Sequence, residues 1–285
     1  MTKEPLLAAI SRRPDATVVS TDTFTLLKVP PPRELEGLVL DIALYRELSG
    51  TSIRQVETAS LVVPLLIGFS DPFEIALGRA PTRDDGFHSF TAGLCLAPAN
   101  IISAGACSCL EITLTPRGAR RFFGMPMSEL TERMVGLGDL GDKSLDRLRH
   151  QLGEEDDWDR RLELAEAFLQ ARLGMPSARP SPTGWAYDRI VASAGRATIG
   201  NLADHLGWSR KHLASRFHDE FGLPPKQVAR IARFMNAQRL ASGGEENGWA
   251  EIAAACGYAD QAHLTREFRA FSGTTPSAWL SAAAR

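Results

Sequence analysis

Two stretches of the chain, LADHLGWSRKHLASRFHDEFG from Leu202 to Gly222 and IAAACGYADQAHLTREFRAFSG from Ile252 to Gly273, keep the same apolar and glycine positions and change the charged ones. Ala203 matches Ala253, Gly207 matches Gly257 and Trp208 matches Tyr258; after one inserted residue Leu213 matches Leu264, Phe217 matches Phe268, Gly222 matches Gly273 and Pro225 matches Pro276. Each matched type has a mechanical reason. A small Ala lets a second helix cross the first closely, and a Gly just after the first helix takes the left-handed conformation that ends it. Leu and Phe four apart then hold the second helix by one face. Helix, tight glycine turn, helix is therefore predicted twice, with conserved anchors and different outward faces.

Two such units have a use that fits this difference. The second helix of each can enter a DNA major groove while the first crosses the backbone. With Leu213, Phe217 and Phe221 inward, the first unit presents Lys211, His212, Ser215 and His218, with Arg210 near the helix start. With Leu264, Phe268 and Phe271 inward, the second presents Ala262, His263, Arg266 and Arg269, with Gln261 near the start. Arg suits guanine, Gln suits adenine and small apolar groups suit thymine methyls. Charge agrees with this reading: from Thr183 onward there are 12 Lys and Arg against 9 Asp and Glu, whereas the whole chain carries −2. A mildly basic end on an acidic body favours a polyanionic partner, here double-stranded promoter DNA.

The stretch from about Trp185 to Leu280 resembles the DNA-binding domain of the AraC/XylS family of bacterial transcription regulators. The segment PPKQVARIARFMNAQRLAS resembles the helix that joins the family's two helix-turn-helix units, and EIAAACGYADQAHLTREFRAFSGTTPSAW resembles its signature. The resemblance implies base reading by Lys211, Ala214 and Ser215 in the first unit and by Gln261, Ala262, His263 and Arg266 in the second. Arg210, Arg216 and Arg269 are expected at phosphates. Lys226, Arg230 and Arg233, with Arg216, are read either as phosphate contacts or as a solvated face.

Upstream lies GMPSARPSPTG, Gly174 to Gly184, rich in Pro and small residues and read as a linker. The expected organisation is a sensing or assembly domain over residues 1–174, a linker over 175–184 and the DNA-binding domain over 185–285. From about Ala16 to Thr115 the chain offers short β runs such as FTLLKV, SLVVPLLIGF, FEIALG and CLEITLT, separated by Pro and Gly clusters, which predicts a β-barrel or sandwich. After Pro116 the pattern turns helical in PRGARRFFG, MSELTERM, LDRLRHQL and the segment Asp157 to Leu173. The fold class is thus a two-domain α+β chain: a barrel, which the family resemblance implies is cupin-like, with a small helical layer, then an all-α domain. The 157–173 helix is read either as a cover over its own barrel or as a homodimer interface, and Arg117, Arg120 and Arg121 as a solvated face, an anion site or a docking face.

Chemistry other than binding finds little support. Only His88 and His150 precede the linker, too few for the histidine-rich metal site of a barrel enzyme, so no metal and no cofactor are expected. GLGDLG, Gly136 to Gly141, satisfies GxGxxG but is read as following a helical stretch rather than a strand, which argues for a loop. The four cysteines form no framework and are read as free thiols in a reducing cytoplasm. No run is apolar enough for a signal peptide or membrane span. A DNA-binding regulator controlled by a small-molecule effector, or by assembly, is the expectation; the alternative is an enzyme in the barrel localised by the DNA-binding end.

Overall fold

The computed structural model describes residues 15–174, 181–243 and 248–283. Among them eleven strands form two antiparallel sheets. The larger runs in the order β1 (Thr17–Ser20), β2 (Phe24–Val29), β3 (Val39–Glu47), β10 (Ser108–Leu114), β5 (Val63–Gly68), β8 (Ser89–Ala92), β11 (Met134–Gly136). The smaller has β4 (Ile53–Glu57), β9 (Ala99–Ser103), β6 (Phe73–Leu77), β7 (Gly86–Phe87). The sheets face one another without merging into one closed ladder, so the expected barrel is open.

The central strands are buried on both faces, which is why their sequences read as apolar runs rather than clean alternations. On β10, Leu110, Ile112 and Leu114 join Leu27, Ile42, Leu44, Leu65 and Ile67 in a core beneath the helices. The intervening Cys109 joins Leu66, Phe73, Ile75 and Phe90 in a second core between the sheets. A buried acid ties the sheets together at one end: Glu47 accepts hydrogen bonds from the Ser103 hydroxyl at 2.5 Å, the Cys107 amide at 2.9 Å and the Tyr45 hydroxyl at 3.2 Å.

Three helices cover the outer face of the larger sheet. Thr115 caps α1 (Pro116–Phe123), Asp142 caps α2 (Lys143–Glu154) and Asp157 caps α3 (Trp158–Leu173), each side chain accepting first-turn amides. Gly118 in α1 is required by packing, since a Cβ there would lie 1.9 Å from the Leu38 carbonyl oxygen. The face of α3 formed by Trp158, Leu162, Ala165, Leu169 and Leu173 is buried in the domain's own core, so this helix covers its own barrel. Arg172 fastens it through Asp142 at 2.5 Å and lies over the Phe122 ring at 4.2 Å.

The structure departs from the sequence pattern in four short stretches. MSELTERM is one 3-10 turn, Met127–Glu129, followed by β11, because Pro126 starts a turn and Glu132 adopts a left-handed φ of 54°. GLGDLG therefore does follow a strand, but it opens a 3-10 turn, Leu137–Leu140, and the helix begins only at Lys143. The strand ANIIS, β9, carries no alternation between Pro98 and Ala104 and was not legible as a strand, although it is central in the smaller sheet. In the stretch read as linker, 175–180 lie outside the described residues, and Pro182–Gly184 already form the first turn of α4 (Pro182–Ala192), capped by Ser181.

Candidate nucleic-acid interface and adjoining cavity

The two repeats fold alike down to individual hydrogen bonds. The first unit is α5 (Ile199–His205) and α6 (Arg210–Phe221); the second is α8 (Trp249–Cys256) and α9 (Gln261–Ser272); α7 (Pro225–Ser242) joins them. Gly207 and Gly257 both turn left-handed, at φ 66° and 77°. The Trp208 amide bonds the Ala203 carbonyl at 2.9 Å, and the Tyr258 amide bonds the Ala253 carbonyl at the same distance. Ser209 caps α6 by accepting from the His212 amide at 3.1 Å, and Asp260 caps α9 by accepting from the His263 amide at 2.6 Å. Both second helices end at left-handed glycines, Gly222 and Gly273.

The anchors predicted from sequence are buried: Leu213, Phe217 and Phe221 in the first unit, Leu264, Phe268 and Phe271 in the second. The polar faces point outward. Arg210, Lys211, Ser215, Arg216 and His218 are exposed on α6, with Ala214 half-buried among them. Gln261, Ala262, Arg266 and Arg269 are exposed on α9. His263 is half-buried: its ring meets Tyr258 edge-on with centroids 5.3 Å apart, and Nδ1 accepts the Ala259 amide at 3.4 Å. His212, the matching residue, meets Trp208 in the same edge-on manner at 4.5 Å. Both histidines therefore buttress their turns, His263 half-buried and His212 exposed.

Two of the arginines weighed as phosphate contacts are turned partly inward, and one of them is paired there. Arg230 pairs with the buried Glu267 at 2.5 Å and lies over the Phe271 ring at 5.1 Å, tying α7 to α9. Arg233 is half-buried, its guanidinium 5.7 Å from the Tyr258 ring centre. Lys226 and Arg216 remain exposed. Nothing in the sequence pattern distinguishes these pairs, because all four stand on helices with similar spacing.

Both units dock on the N-terminal body. Against the first, the Thr131 hydroxyl donates to the Gly222 carbonyl at 2.7 Å. Arg117 of α1 pairs with Asp188 of α4 at 2.6 Å and donates to the Gly184 carbonyl, so this arginine serves docking. Ser181 and Thr183 in turn donate to Glu220 of α6. Against the second unit, the Ala59 amide donates to the carbonyl of Phe271 at 2.8 Å, and Gln238 of α7 donates to the Thr58 hydroxyl at 3.3 Å.

Thr58, Ala59 and Ser60 also form part of the wall of a cavity of about 610 Å³ between the two sheets. Its surface is largely apolar, with Leu26, Leu66, Phe73, Ile75, Phe90 and Ile101 among the contributors. Two carboxyls line it, Glu57 from the smaller sheet and Glu111 from the larger; burial, with the neighbouring Glu57 and Asp41 charges, pushes the pKa of Glu111 up from the ordinary value to about 7. The signal that could have found Glu111 was a lone charge in the otherwise uncharged run CLEITLT. Among the described residues no group of three His, Cys, Asp or Glu side chains is placed to hold a metal ion, and no helix is long and apolar enough to cross a membrane.

Paired helix-turn-helix units with outward polar second helices, joined by one long helix, define a nucleic-acid-binding domain. A family profile described as "Helix-turn-helix domain" matches residues 202–282, and this segment is a helix-turn-helix domain of the AraC type. No curated protein matches the chain. Similar solved structures include ToxT from Vibrio cholerae, 11% identical, covering 81% of this chain and 98% of that one with a TM-score of 0.42. They also include a DNA-binding transcriptional dual regulator from Escherichia coli K-12, 20% identical over 36% of this chain and 99% of that one, TM-score 0.32. The C-terminal domain of AraT, a response regulator from Geobacillus stearothermophilus, is 24% identical over 37% of this chain and 88% of that one, TM-score 0.34.

Proposed function

We propose that the chain is a sequence-specific DNA-binding transcription regulator without catalytic activity, acting in the cytoplasm, whose N-terminal body controls how the two helix-turn-helix units engage a promoter. The single observation that carries this reading is the repeated turn geometry beneath two different exposed faces. Lys211, Ala214 and Ser215 read bases from the first unit; Gln261, Ala262, His263 and Arg266 read bases from the second. Arg210, Arg216 and Arg269 hold phosphates on either side. With α6 and α9 in successive major-groove segments, one chain covers about two turns of the duplex.

Control by a small molecule is supported by the shared wall. Residues 58–60 face the cavity on one side and bond to α7 and to the last turn of α9 on the other. An occupant acts on DNA binding only through a difference in affinity between docked and released arrangements of the second unit. The test is selection of binding sites from random DNA by the full chain at fixed salt. A common motif spanning two groove segments supports the reading. Salt-sensitive binding with no sequence preference overturns it.

A further inference from the structure

Lys28, Ala43, Glu111, Leu66 and Phe90 stand side by side across five neighbouring strands of the larger sheet, and all five line the cavity. Among the described residues most charged groups along this surface pair with neighbours, whereas Glu111 at the centre and the exposed Arg54 do not. Lys28 reaches one oxygen of Asp41 at 3.3 Å, and the Thr113 hydroxyl reaches the other at 2.9 Å. Glu57 accepts from Gln55 at 2.6 Å, and Glu47 is bonded on both oxygens. Glu111, half-buried between the sheets, makes no hydrogen bond or ion pair with any described residue, and it lines the cavity. A carboxylate drawn largely out of bulk water and left without a charged or hydrogen-bonding partner is costly to keep.

We propose that the cavity binds an apolar organic cation, a molecule with a hydrocarbon or aromatic body and one protonated amine, and that Glu111 is its counter-ion. The proposal rests on the effector-control reading above and supplies the chemical class of the effector. An ammonium group at Glu111 gains a charge-assisted hydrogen bond in an apolar setting, where such bonds are strong. The aromatic side chains of Tyr45, Phe73 and Phe90 line the same space, and aromatic rings attract cations. A carboxylate or phosphate in that place would face Glu111, with Glu57 near it, and no unpaired cation at that depth, since Lys28 is engaged by Asp41 and Arg54 is exposed. The volume, about 610 Å³, suits a small lipophilic molecule.

The same arrangement sets a pH dependence. The titratable and charged groups facing Glu111 are Glu57 from β4, Asp41 from β3 and Lys28 from β2, with Cys109 beside it on β10 and Tyr45 on β3; β5 and β8 bring Pro64, Leu66 and Phe90. Cys109 and Tyr45 are both pushed upward by burial and stay neutral. Glu111 changes charge near neutrality, and the ionised form is the one that pairs with an amine.

The experiment is calorimetric titration of the full-length protein, without DNA, using matched linear amines, alcohols and carboxylates of eight to twelve carbons below their micellar concentrations. The expected result at pH 8 is saturable binding of amines and none of carboxylates at equal concentration. Glu111→Gln weakens amine binding at least tenfold, pH 6 weakens it about tenfold in the unsubstituted protein, and Ala43→Phe, which fills the space beside Glu111, abolishes it. The proposal is overturned if no amine binds, if carboxylates or alcohols bind as tightly, or if Glu111→Gln keeps the amine affinity. Because no DNA is present, these outcomes stand apart from the site selection above, which alone decides the regulator reading.

Discussion

Replacing Glu111 by Gln removes a charge while keeping the shape, so its effect on stability measures what the half-buried carboxylate costs. The carboxyl titrates near 7 in the folded chain against an ordinary 4.5. A carboxyl whose folded pKa is raised binds more protons folded than unfolded between these two values. Stability is therefore unaffected below about pH 4.5, falls as pH rises through the window, and reaches its full deficit above about 7. Each pKa unit corresponds to about 1.4 kcal/mol, giving an upper limit of about 3 kcal/mol at pH 8 and about 1 kcal/mol at pH 5. Glu111→Gln is expected to raise stability by these amounts in the unliganded protein. Expressed as a melting temperature, the gain at pH 8 is roughly 6–12 °C for a domain of this size. Urea unfolding followed by circular dichroism at pH 5 and pH 8 reads the difference directly. A gain that does not grow with pH, or a loss at pH 8, would show that a cation already neutralises Glu111 and would refute the argument.

Other outcomes follow from the docking and turn geometry. Gly222→Ala places a methyl 2.3 Å from the Thr131 hydroxyl at φ 85°, so it is expected to cost more than the 1–2 kcal/mol or so of left-handed strain and to undock the first unit. Gly207→Ala, at φ 66° with open space around it, is expected to cost only that strain, and paired thermal melts compare the two. Arg230→Ala leaves the buried Glu267 unpaired and is expected to destabilise by about 2–4 kcal/mol in urea titration, without the selective loss at one base pair expected of a reader. Thr131→Val removes the bond to Gly222 and is expected to change DNA affinity in a mobility-shift assay while leaving the preferred sequence intact.

The DNA-binding half was legible because its rules are local. Caps, left-handed glycines and a Leu–Phe spacing recur within twenty residues, and each dictates a conformation by itself. The sheet half was legible only as far as its alternation showed. ANIIS and MVG pair with strands distant in sequence and owe their conformation to those partners, which no window of neighbouring residues reveals. The same holds at the site. The outward faces of α6 and α9 follow from helical spacing, but the burial of Arg230 depends on Glu267 arriving from another helix. Arg117 shows the same dependence, since Asp188 lies far along the chain. Glu111 was visible as a lone charge in an otherwise uncharged strand, yet only the facing sheet turns that position into the wall of a cavity.

Whether α6 and α9 read two different DNA segments is decided by comparing selected sites for the full chain, for Lys211→Ala with Ser215→Ala, and for Arg266→Ala. The first variant is expected to relax preference in one half of the site and Arg266→Ala in the other, with a loss of about 1–3 kcal/mol at the base pair Arg266 contacts. If both variants weaken binding uniformly and leave every position's preference unchanged, these side chains hold phosphate rather than read bases, and the double-reader account is contradicted.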